Sequence, residues 1–154
     1  MRLLLAIVLL AAQSGTKEDL LPGLVATYRD RGHGVKVIAP APRFYLAPEE
    51  SVHPAIAAAF DAEWTGLISV VQAGNYRVES GPAEVWIDGR SAGPGKPVQL
   101  TAGRHPITVK YHRKPGVAAL RLEWQTQQFP LEPIPSSVLS HRASESVGRE
   151  DARI

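Results

Sequence analysis

The chain has 154 residues, enough for one domain with its own core and too few for two comfortable ones. It has no cysteine, which excludes disulfides, thiol catalysis, Cys-based zinc sites and c-type haem attachment within this chain. Lys plus Arg is 17 and Asp plus Glu is 15, a formal net charge of +2, which argues against nucleic-acid binding by bulk charge.

The N-terminus reads as a targeting segment. Met1-Arg2 supplies a positive end, residues 3–12 are uncharged and apolar, and Ala12-Gln13-Ser14 offers small residues where a signal peptidase cuts. Ten residues of helix span roughly 15 Å, half of a bilayer core, so a signal peptide over 1–14 is expected and not an anchor. The mature form is then expected to be exported, secreted or periplasmic, with no membrane span. Residues 15–23 read as a linker. Leu24 to Tyr28 and Val35 to Ile38 are predicted short strands around a charged, Gly-containing turn. Residues 39–54 hold prolines at 40, 42, 48 and 54, which reads as irregular loop, since proline cannot donate to a ladder. One helical turn is predicted over 55–60.

A regular pattern begins at Glu63. Trp64 to Val71 is a predicted strand with Leu67 in the core. Tyr76 and Val78 share a face opposite Arg77 and Glu79. Val85 and Ile87 alternate with Glu84, Trp86 and Asp88, and Asp88-Gly89 suits a tight hairpin turn. Val98 and Leu100 share a face. Ile107, Val109 and Tyr111 alternate with Thr108, Lys110 and His112 on one strand, and Leu120, Leu122 and Trp124 with Arg121 and Glu123 on another. After Phe129, apolar residues spaced by prolines suggest an extended tail laid across the domain. Residues 142–154 read as a disordered tail. Short alternating strands with Gly, Asp-Gly and Pro between them predict an all-β fold, an antiparallel β-sandwich over 24–141.

The order of these phrases resembles one family, the protective-antigen-type (PA-fourteen) β-sandwich domains. Gly23-Leu24-Val25-Ala26-Thr27-Tyr28, Trp64-Thr65-Gly66, Ala73-Gly74-Asn75-Tyr76, Trp86-Ile87-Asp88-Gly89 and the run from Gly116 to Trp124 carry the resemblance. It implies a non-catalytic, carbohydrate-binding module. In calcium-dependent members two adjacent aspartates follow the Tyr-containing strand; here that place reads Val78-Glu79-Ser80-Gly81-Pro82, with one carboxylate. No cofactor is expected, and calcium, which wants several oxygen ligands, is disfavoured. The chain also looks like an accessory module of larger exported proteins whose later domains carry haem. A structural or protein-interaction domain is the alternative to a glycan or cell-envelope polysaccharide binder.

No enzyme is expected. Gly-x-Ser-x-Gly is absent and no carboxylate pair is marked as poised. His105 and His112 are seven apart on one strand, so they face opposite sides and make no metal pair. Trp64 and Trp124 read as core. Trp86, out of phase with Val85 and Ile87, is the aromatic expected to stack on a ligand. Asp88 beside it, Glu79 and the basic residues Lys110 and His112 complete the ligand-binding candidates, with Arg113 and Lys114 in the same basic tip.

Overall fold

A computed structural model describes residues 19–147. The predicted signal peptide therefore lies outside the described residues. The described residues form fourteen strands: β1 (Leu20–Pro22), β2 (Leu24–Arg29), β3 (Gly34–Ala39), β4 (Phe44–Leu46), β5 (Asp61–Val70), β6 (Gly74–Glu79), β7 (Glu84–Ile87), β8 (Arg90–Ser91), β9 (Val98–Leu100), β10 (Gly103–His112), β11 (Ala118–Leu120), β12 (Glu123–Gln125), β13 (Glu132–Pro133) and β14 (Leu139–Arg142). Two short 3-10 turns flank β14, at Ser136–Val138 and Ala143–Glu145. No described helix is long and apolar enough to cross a membrane.

The first layer is an eight-stranded antiparallel sheet. Its centre is β5 paired with β10 along ten register positions, from Gly103 opposite Val70 to His112 opposite Asp61. β7 and β8 continue it on the β10 side. On the other edge of β5, β2 pairs with residues 61–65 and β14 with residues 67–68. The second layer holds β13-β12-β6-β9 and the two-stranded β11-β4. Both layers turn alternate residues inward, which gives the β-sandwich the alternation predicts.

Gly66 sits at the seam between β2 and β14. A Cβ there would lie 2.4 Å from the Ser140 carbonyl oxygen and 2.6 Å from Leu24 Cδ2, so the third residue of the Trp-Thr-Gly phrase has no room for a side chain. Trp64, beside it, is 1% exposed and packs against Tyr28 and Phe44. Phe60 and Tyr111 complete this aromatic half of the core, while Tyr76, Trp124 and Phe129 form the other.

Several expectations need correction. Leu67 is buried but lies outside the core cluster; Ala62, Trp64, Ile68 and Val70 are the inward residues of β5. The linker contributes β1, which pairs with β14, so the residues from 142 to 145 are also structured. The Pro-rich segment contains β4, which pairs with β11; its Leu46 joins the core and its half-buried Phe44 packs against it. No helix forms over 55–60; a single turn closes there by the Ile56 amide donating to the His53 carbonyl at 3.0 Å. The strand predicted through Leu120, Leu122 and Trp124 is two strands. β11 pairs with β4 and β12 with β6, and between them the Leu122 carbonyl accepts from the Ile134 amide.

Candidate functional site

The register sets out the solvent face of the first layer in rows. Lys36, Thr27, Glu63, Lys110 and Glu84 lie side by side across five strands. Val25, Thr65, Thr108 and Trp86 form the next row. Arg29, Asp61 and His112 form a third. Apart from Thr108 and Trp86, these residues, with Lys114 and Val117, line a groove of about 930 Å³. Opposite charges on neighbouring strands favour this arrangement by Coulomb attraction.

The sequence candidates are distributed unevenly. Lys110 and His112 both line this groove. His112 Nδ1 is 2.5 Å from Asp61 Oδ1. Trp86 is half-buried, and the Lys110 ammonium stands 5.4 Å from its ring centroid. That cation occupies the ring, so Trp86 is a poor open platform. Asp88 is at the far end of β10. It adopts φ 53°, as the tight turn with Gly89 demands, and its carboxylate is bonded to His105 Nδ1 at 2.7 Å. Burial alone lowers the pKa of His105, but the Thr101 carbonyl, 2.7 Å from Nε2, and the Asp88 carboxylate outweigh it and raise the ring above its ordinary value. Both ring nitrogens face acceptors, an arrangement only the imidazolium satisfies.

Arg113 does not belong to the basic tip. It is 4% exposed and donates to five backbone carbonyls. Nη1 reaches Glu50 at 2.7 Å and Ala58 at 3.1 Å; Nη2 reaches Ala47 at 2.8 Å, Pro48 at 3.1 Å and Gly116 at 3.1 Å. The guanidinium thus pins the Pro-rich loop. Burial pushes the neighbouring Tyr111 phenol up, partly offset by the Arg113 charge.

Glu79 lies in the second layer, at a second groove of about 680 Å³ lined also by Arg43, Tyr45, Pro82, Arg121 and Glu123. Its register partner is Glu123, whose carboxylate accepts from Arg121 at 3.0 Å. Tyr45, opposite Ala119 on β11, is 72% exposed. A tyrosine with only an alanine across from it keeps its ring open to solvent. Sequence reasoning missed it because β4 is three residues long and framed by prolines. The one available signal was Phe44-Tyr45-Leu46, an apolar triplet of strand-forming residues. In the place of the aspartate pair, Ser80 is fully buried and its hydroxyl donates to the Ala83 carbonyl at 2.7 Å, while Gly81 takes φ 55°. Among the described residues no three His, Asp or Glu side chains gather as a metal site.

No family model matches the sequence, and no curated protein matches it. Solved structures do. An anti-sigma factor domain-containing protein from Clostridium clariflavum aligns over 83% of this chain and 50% of its own, at 18% identity and a TM-score of 0.68. The chain thus spans about half the length of that protein. A PA14 sugar-binding domain from an RTX adhesin aligns over 79% of this chain and 99% of its own, at 15% identity and a TM-score of 0.56. The Epithelial Adhesin 6 A domain from Candida glabrata, in complex with Galb1-3GlcNAc, aligns over 86% and 91%, at 13% identity and a TM-score of 0.58. At these identities the likeness is one of fold: the chain is an antiparallel β-sandwich with the PA14-like fold.

Proposed function

We propose that this protein is a non-catalytic, carbohydrate-binding module whose ligand stacks on Tyr45. The observation that carries the reading is the open Tyr45 ring in a groove that also holds Glu79, Glu123, Arg43 and Arg121. An aromatic face takes the C–H face of a sugar, and carboxylates and guanidiniums pair with its hydroxyls. The sugar-binding neighbours of the same fold support the class of ligand. Binding needs no calcium in this reading, because Ser80 and Gly81 stand where a carboxylate pair would be. Export, supported by the apolar run at 3–12, brings the groove to cell-envelope or extracellular polysaccharide.

The test is a polysaccharide pull-down of the wild type and Tyr45→Ala, with calcium and then with chelator. Retention that survives chelation and is lost in Tyr45→Ala supports the reading. Retention lost on chelation overturns the calcium-free site. Retention unchanged in Tyr45→Ala but lost in Trp86→Ala moves the site to the first groove. A protein-docking role is the second reading, favoured by Val117, which is 57% exposed beside the same groove system. Failure to bind any polysaccharide would select it.

A further inference from the structure

The two grooves share Pro82 and Ala119 as lining residues. Pro82 lies in the turn that takes the chain from β6 in the second layer to β7 in the first. Ala119 is on β11, reached by the loop that carries the chain from β10 back to the second layer. The grooves therefore meet over the rim where two connections join the layers. Tyr45, opposite Ala119, stands at that junction.

Each groove alone, at about 930 and 680 Å³, has the volume of a site for a compact ligand. Joined, they exceed what a sugar at a chain end would fill. The first groove also has the chemistry to hold sugar hydroxyls. Thr27, Thr65, Lys36, Glu63 and Glu84 stand along its floor with no side-chain hydrogen bond or ion pair to protein among the described residues. Their donors and acceptors are left to water or a ligand, and they are mounted on paired strands that fix their spacing. The charges nearly balance, with Arg29, Lys36, Lys110 and Lys114 against Asp61, Glu63 and Glu84. Within the charged rows both signs occur on neighbouring strands, so no polyanion would find a uniformly positive track.

We infer that the two grooves act as one continuous cleft, which binds an internal stretch of an extended, uncharged polysaccharide. This rests on the reading of the Tyr45 groove as a glycan site. Tyr45 provides the stacking platform, and the Thr27–Glu63–Lys110–Glu84 row extends the contact across the first layer. Arg113 positions the cleft wall. Its guanidinium holds the carbonyls of Ala47, Pro48 and Glu50 just after Tyr45, and of Gly116 just before Val117.

The test is isothermal titration of the full chain with defined ladders from disaccharide to octasaccharide. The probes are β-1,4-glucan, β-1,4-linked N-acetylglucosamine, β-1,3-galactan and, as the charged control, α-1,4-galacturonan. The expected result is binding to a neutral ladder that tightens at least about tenfold between disaccharide and hexasaccharide, a gain of about 1.4 kcal/mol. Glu84→Ala with Lys110→Ala, both exposed, should remove that gain, so that the hexasaccharide then binds no tighter than the disaccharide. Affinity independent of length, but lost in Tyr45→Ala, would overturn the continuous cleft and leave the glycan reading standing. Tighter binding to galacturonan than to any neutral ladder would overturn the assignment to uncharged polymers. No binding to any ladder would remove the glycan reading and this inference with it.

Discussion

Replacing Arg113 by lysine keeps the charge and removes the geometry. The guanidinium serves five carbonyls through its two terminal nitrogens. An ammonium has three N–H donors, so at least two carbonyls lose this partner. Leaving a buried polar group unpaired costs about 1–3 kcal/mol each, which puts Arg113→Lys at about 3 kcal/mol. For a domain of this size the melting temperature should fall by about 10 °C. Urea unfolding followed by tryptophan fluorescence would measure the loss, with an unchanged m-value as the sign that the denatured state is unaltered. Hydrogen exchange should accelerate over residues 47–51 and 116–118 ahead of β5 and β10, because those loops lose their shared anchor. A loss under about 1 kcal/mol, with no local change in exchange, would mean that water replaces the guanidinium and that Arg113 does not organise the Pro-rich loop.

Three further outcomes follow from buried or crowded positions. Because the folded His105 pKa lies above its ordinary 6.5, the stabilisation is fully present below that pH and lost as pH rises through the folded value. His105→Gln should flatten that decline in urea midpoint between mildly acid and alkaline pH; an unchanged slope would refute the imidazolium. Gly66→Ala should cost about 1–3 kcal/mol, because its Cβ meets the backbone of β14, and a melting curve like the wild type would show that the seam relaxes freely. Asp30 accepts from the amides of Ala57, Gly32 and His33, which hold its carboxyl at about 2. Its contribution is present above the ordinary carboxylate value and lost as pH falls through about 2, so Asp30→Asn should weaken the acid dependence of unfolding. An acid transition identical to the wild type would refute that role.

The sandwich was legible where one strand faces the core on one side only. β10 shows this best: Ile107, Val109 and Tyr111 alternate strictly with Thr108, Lys110 and His112, and burial follows the alternation. Leu67 misled because β5 has apolar residues in both phases, and only the register with β10 and β14 shows which phase points inward. β1 and β4 were illegible because three-residue strands carry too few cycles of any period; long-range pairing makes them strands. The candidate site was read in part. Lys110 and His112 do share a groove, but Arg113 looked like their neighbour because chain proximity was mistaken for a common face. That Arg113 turns into carbonyls from residues 47 to 58 is a property of loop closure, invisible to local pattern.

The short ladder between β1 and β14 has a mechanical consequence. Leu20 stands opposite Arg142, and the Ala143 amide donates to the Asp19 carbonyl at 2.9 Å, so the chain enters and leaves side by side. Tension applied between these two points would pull across that ladder, opening its bonds one after another instead of loading them together. The first yield would be confined to three register pairs at the sheet edge. The β4–β11 and β6–β12 pairs beneath the Tyr45 groove lie in the other layer, so a ligand held there is shielded from the pull until the clasp has given way.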